Sequence, residues 1–124
     1  MKEIGADEWL ESAHHRLDDA RFLLADHRTE TALSQSYFAV FYACQALLVR
    51  RDLRFKTHSS VIGTVGRFPE YRNRLDTRLP AQLQTERERC DYELEHYSSA
   101  YVDRRLDEVG RFLDQAELFV GGRS

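Results

Sequence analysis

The stretch from Glu86 to His96 holds the residues whose types and spacing could do chemistry. Read as helix, Arg89, Tyr92 and His96 fall at i, i+3 and i+7 and share one face. An arginine and a histidine on one face could act on RNA. The imidazole would take the proton of a ribose 2'-hydroxyl, and the guanidinium would stabilise charge on a phosphorane-like transition state. On the same helical wheel Leu83, Cys90 and Leu94 form a narrow apolar stripe. Arg87 lies about 40° from Leu83 and Asp91 about 80° from it. Arg87 therefore stands at the core edge, where a charge needs a partner, and Asp91 is one turn on at i+4. The plainer reading of these residues is a solvated helix laced with exposed ion pairs, each worth little.

A second candidate runs from Arg50 to His58. Arg50, Arg51, Arg54 and Lys56, with His58, sit in an interhelix connection beside a helix N-terminus, where phosphate is attracted. The alternative is a basic helix end that complements its own dipole. Charge is unevenly spread around this region. Residues 50–89 carry ten Lys or Arg against five Asp or Glu, while the flanks carry eight against sixteen, so the net charge of -3 hides a basic middle. Such a middle attracts phosphate, and acidic flanks discourage indiscriminate nucleic-acid binding.

Other chemistries lack their motifs. There is no Walker loop, GxGxxG, HExxH or GxSxG. Gly63 and Gly66 have neither the lysine nor the preceding strand of a phosphate loop. His14 and His15 are adjacent, so on a helix they point in two directions and cannot chelate one metal; no metal or cofactor is expected. Cys44 and Cys90 lie in helix-like sequence without ligand or disulfide spacing, which fits small core residues in a reducing compartment. No apolar run follows Lys2, so no signal peptide is expected. The most apolar stretch, Ala32 to Val49, is interrupted by Ser34, Gln35, Ser36 and Gln45, which argues against a spanning helix. A cytoplasmic protein is the expectation.

The elements that position these residues are helices. With 124 residues, 42% hydrophobic and 31% charged, the chain fits one globular domain over 1–124. Leu10, Ala13, Leu17, Ala20 and Leu24 advance by three and four, predicting a helix from Ala6 to Ala25. A second starts at Thr29 and runs to about Arg51; from Tyr37 to Val49 it is apolar nearly all round, so it sits in the centre of a bundle or against a second subunit. A third begins near His58, capped by Thr57 or Ser59, carries Val61, Ile62, Val65 and Phe68, and stops at Pro69. Residues 70–77 read as a loop or a short helical turn. A fourth starts near Arg78, tolerates Pro80 in its first turn, and reaches about Tyr97. Ser98-Ser99 caps the last, in which Val102, Leu106, Val109, Leu113, Ala116 and Val120 repeat before Gly121-Gly122. With no hairpin-bounded alternating runs, the fold class is all-α: an antiparallel up-and-down bundle.

Three motifs in order carry a family resemblance: Ser36-Tyr37-Phe38-Ala39-Val40-Phe41-Tyr42-Ala43 with Ala46-Leu47-Leu48; Lys56-Thr57-His58-Ser59 with Val61; and Arg87-x-x-Cys90-Asp91-Tyr92. Together they resemble a bacterial and archaeal branch of the HEPN domains, from about Asp7 to Val120. The resemblance implies a bundle of four main helices plus a shorter one, commonly a homodimer. Many such domains are metal-independent ribonucleases, often toxins neutralised by a nucleotidyltransferase-type antitoxin. Their signature is an arginine, then four to six intervening residues, then a histidine, just before the last helix. Here the arginine falls on Arg87 and Tyr92 stands at the histidine position, while Arg89 and His96 fit the loose spacing in a shifted register. Tyrosine titrates near pKa ~10 and is a poor base at neutral pH. Ser60 stands where the branch usually has glycine, and Phe38 where it often has tyrosine. The resemblance thus implies Arg87, Arg89, Tyr92 and His96 as candidate catalytic residues. Lys56, His58, Arg54 and Asp91 would line a nucleotide or RNA groove. The expected function is action on RNA, as a ribonuclease toxin, as a non-catalytic nucleotide- or RNA-binding module, or as a homodimeric docking bundle.

Overall fold

The computed structural model describes residues 3–121, and the readings made at Lys2 and Gly122 lie outside them. Helix α1 spans Ala6–Ala25, and the Gly5 amide ahead of it donates to Glu8 Oε1 at 3.2 Å. It buries Leu10, Ala13, Leu17 and Ala20 of the apolar set that its spacing predicts, while Leu24, in the last turn, is only partly buried. Helix α2 spans Thr29–Val49. Both end in the same way. The Arg28 amide bonds the Leu23 carbonyl at 2.8 Å, the Leu53 amide bonds the Leu48 carbonyl at 3.0 Å, and the residue before each donor is left-handed, His27 at φ 62° and Asp52 at φ 60°. This is the Schellman closure, which satisfies carbonyls that a helix end would otherwise strand.

Of the two places open to an apolar-all-round helix, α2 takes the centre. It packs against α1, against α6 (Ser99–Val120) and α5 (Leu79–Glu93), and against the short helix α3, which spans His58–Val65. Although α2 is long and apolar enough to cross a membrane, most of that length is buried by its neighbours. Only one stripe stays partly open, Gln35, Phe38, Tyr42, Gln45 and Val49. Thr57 caps α3 by accepting the Ser60 amide at 3.1 Å. That helix stops at Val65 rather than Phe68. Pro69 does not end a helix but opens one, the single turn α4 at Pro69–Arg72, since proline suits a first helical position.

Helix α5 spans Leu79–Glu93 and α6 spans Ser99–Val120, with Ser98 Oγ accepting the Tyr101 amide at 3.1 Å. The sequence reading carries α5 to Tyr97; the chain leaves the helix four residues earlier. Leu94 turns left-handed at φ 52°, and the Arg89 carbonyl accepts the Glu95 amide at 3.1 Å. Nothing in Leu94-Glu95-His96-Tyr97 marks this stop, because the glycine usual at such a turn is absent. The helices are thus four long ones, α1, α2, α5 and α6, with two short ones between α2 and α5 among the described residues.

Helices α5 and α6 are tied through a buried ion pair. Arg105 donates to both Glu86 oxygens, at 3.1 and 2.7 Å, and to Glu108 at 3.2 Å, while the Tyr101 hydroxyl bonds Glu86. The two charged side chains are only 13% and 10% exposed. Burial works to lower the Arg105 pKa, and its bonds to Glu86 more than reverse that, holding the guanidinium above its ordinary range.

Candidate functional site

Arg87 leaves α5 toward the core edge, as the wheel placed it, with 23% of its side chain exposed. Its guanidinium carbon lies 5.1 Å from the ring centre of Tyr37 and 5.5 Å from that of Phe38, both on α2. Asp91, one turn on, approaches to 3.5 Å, a loose ion pair rather than a tight hydrogen bond. Arg87 Nε is buried without a partner among the described residues. The cation is therefore held by two aromatic faces and one distant carboxylate, with donors left to give.

His58 meets the same rings from α3. With Thr57 as cap, His58 is the first helical residue and turns inward. Its ring stacks on Phe41 at 4.0 Å and 23°, meets Phe38 edge-on at 6.3 Å, and places Nδ1 2.7 Å from the Tyr37 hydroxyl. Burial pushes the Tyr37 pKa up to about 12, against the lowering effect of Arg87. The phenol thus keeps its proton at neutral pH. His58 Nδ1 is the hydroxyl's hydrogen-bond partner among the described residues, and the tautomer of the imidazole decides which of the two donates. In either case Nδ1 is occupied by Tyr37, and with the phenol as donor the ring presents Nε2–H to the outside.

One residue that the sequence reading missed completes the cluster. Arg16 on α1 donates to Gln35 Oε1 at 2.9 Å and to the Tyr42 hydroxyl at 3.4 Å. Its guanidinium carbon lies 5.7 Å from the Phe38 ring centre and 5.4 Å from that of Tyr42. A signal for it existed. On the wheel Arg16 lies about 60° from Ala13, on the flank of the buried stripe and beside Trp9. Phe38 is thus where α1, α3 and α5 each send a polar group to α2.

The remaining candidates do not join this cluster. Because α5 ends at Glu93, Arg89, Tyr92 and His96 do not share a helical face. His96 lies in the connection to α6, with Nδ1 3.1 Å from Glu30 Oε1. Tyr92 and Leu94 are 82% and 75% exposed, so Leu94 is no part of an apolar stripe. The Arg89 guanidinium is raised above its ordinary range, first by the neighbouring Tyr97 hydroxyl and then by Glu95. In the basic connection, Arg54 donates to the Ile4 carbonyl at 2.8 Å and approaches Glu3. Arg50 donates to the Tyr71 hydroxyl at 3.1 Å, and Arg51 bonds Glu70 and lies 4.1 Å over the Phe68 ring. These three arginines hold the connection in place, while Lys56 is exposed beside the α3 N-terminus. Among the described residues no three His, Cys, Asp or Glu converge as a metal site would require.

The cluster can offer spare guanidinium donors, an N–H from His58 and partly open aromatic surface, a combination suited to a phosphate-bearing ligand. The family model described as HEPN domain matches residues 6–121. A UPF0332 protein of Thermotoga maritima is 38% identical over 66 residues, which cover 53% of this chain and 50% of that protein. A UPF0332 protein of Gloeobacter violaceus is 31% identical over 74 residues, covering 60% of this chain and 59% of that protein. The matched part thus spans about half to three fifths of the length of these relatives.

Proposed function

The chain belongs to the HEPN family, and on that premise we propose that it binds RNA without cleaving it, gripping a phosphate with Arg87. The observation that carries this reading is the state of Arg87: half-buried, seated on Tyr37 and Phe38, with Asp91 at 3.5 Å and a buried Nε that has no partner. A phosphodiester would supply the acceptors that the fold withholds. His58, its Nδ1 occupied by Tyr37, adds an N–H donor beside it. The same bond speaks against proton abstraction by this histidine, and His96 is engaged with Glu30. Lys56, exposed just ahead of α3, adds positive charge at the end of the helix that carries His58.

A second reading is a metal-independent endoribonuclease, working as a homodimer and restrained by a nucleotidyltransferase-type antitoxin. What favours it is the exposure of Tyr92 and Leu94 at the end of the helix that carries Arg87, a patch that a second subunit would cover.

Fluorescence anisotropy with labelled tRNA, run beside a cleavage assay in EDTA, tests both. Binding that weakens at least ten-fold in Arg87→Ala, with the RNA intact, is the expected result. Unchanged binding in Arg87→Ala overturns the proposal. Cleavage leaving 2',3'-cyclic phosphate ends replaces it with the second reading.

A further inference from the structure

Arg16 differs from Arg50, Arg51 and Arg105, which also lie against aromatic rings, in what its donors touch. Arg50 and Arg51 have Glu70, and Arg105 has Glu86 and Glu108. Arg16 is held by two neutral groups, Gln35 and the Tyr42 hydroxyl, and among the described residues no carboxylate lies within ion-pair distance of it. It shares Phe38 with Arg87, the two guanidinium carbons lying 5.7 and 5.5 Å from that ring centre. Two cations converge on one ring, and the carboxylate of Asp91 stands 3.5 Å from Arg87 only, which leaves positive charge at a partly desolvated place. An anion is what that field selects. A groove runs on from Arg16 along α1, lined by Trp9, Ser12, His15, Asp19 and Tyr42 among others, and it gives a chain room to leave the site. Glu8 and Asp19 also line that groove and repel phosphate, so the charge that recruits a ligand is Arg16 itself, at the end of the groove beside Phe38.

We propose that Arg16 forms a second phosphate subsite, so that Arg16 and Arg87 hold successive phosphates of one single-stranded RNA across Phe38. This rests on the reading of Arg87 as a phosphate receptor and extends it from one nucleotide to a strand. Gln35 and Tyr42 act as positioning residues, because their bonds fix the guanidinium over the rings.

The test is the salt dependence of binding of a labelled ten-residue oligouridylate, with 5'-UMP as the one-phosphate probe. Each phosphate contact removed flattens the slope of log affinity against log salt by about 0.7 for a single strand. Arg16→Gln should weaken the oligouridylate about ten-fold, flatten its slope by about 0.7, and weaken the oligouridylate by more than it weakens 5'-UMP. Arg16→Lys, which keeps the charge, should retain the wild-type slope. Wild-type affinity in Arg16→Gln overturns the inference. So does weakened binding at the wild-type slope, which identifies a packing role. If Arg87→Ala weakens binding and Arg16→Gln does not, only this subsite fails; if Arg87→Ala has no effect, the reading beneath it fails as well.

Discussion

Two arginines less than twenty residues apart in sequence sit in opposite circumstances. Arg105 is buried between α5 and α6 and bonds Glu86 twice and Glu108 as well. Arg87, one residue after Glu86 on α5, has a carboxylate no nearer than 3.5 Å and a buried Nε without a partner. Desolvating a guanidinium is costly unless its donors are satisfied. At Arg105 the chain satisfies them itself, and the result is a tie between helices. At Arg87 it leaves them open on aromatic faces, a stable place for a cation but an incomplete one. The difference separates a residue that serves the fold from one arranged for a ligand.

Breaking the complete site should have the largest effect on stability. Arg105→Ala leaves Glu86 as a buried, unpaired carboxylate and should cost about 3 kcal/mol in urea unfolding, with RNA binding by the folded fraction unchanged. Next in size is a pH effect beneath Arg87. Tyr37, pushed up by burial to about 12 against an ordinary value of 10, favours the fold while it is protonated. Its contribution is full below pH 10 and is lost as pH rises toward 12. Wild type should therefore lose about 2–3 kcal/mol more than Tyr37→Phe over that range, read by unfolding at successive pH values. Removing the incomplete site's cation should do less to the fold: Arg87→Ala should change stability by about 1 kcal/mol, the size of its ring contacts, while RNA affinity falls. The smallest effect belongs to the end of the same helix. Leu94→Gly relieves a left-handed leucine, offset by the greater freedom of glycine when unfolded, for a net gain of about 0.5 kcal/mol in thermal unfolding.

The sequence made the long helices legible because their apolar residues repeat at three and four, and it marked the Thr57 and Ser98 caps through side chains suited to that role. It overran α5 because helix-forming residues continue past Glu93, and the turn there uses leucine where glycine would have signalled it. The site divides in the same way. Arg87 with Asp91 is a local i, i+4 relation and could be read. The meeting of Arg16, Tyr37, Phe38, His58 and Arg87 joins four helices and depends on tertiary packing, which no local spacing encodes. The basic stretch misled for that reason too: Arg50 and Arg51 find Glu70 and Tyr71 only once α4 folds back on α2.

The measurement that tests the central contrast most directly is an anisotropy titration of single-stranded RNA with wild type, Arg87→Ala and Arg105→Ala, each shown to be folded by circular dichroism. Arg87→Ala should lose at least ten-fold in affinity, and Arg105→Ala, although less stable, should bind as wild type does. Equal affinity for wild type and Arg87→Ala would contradict it.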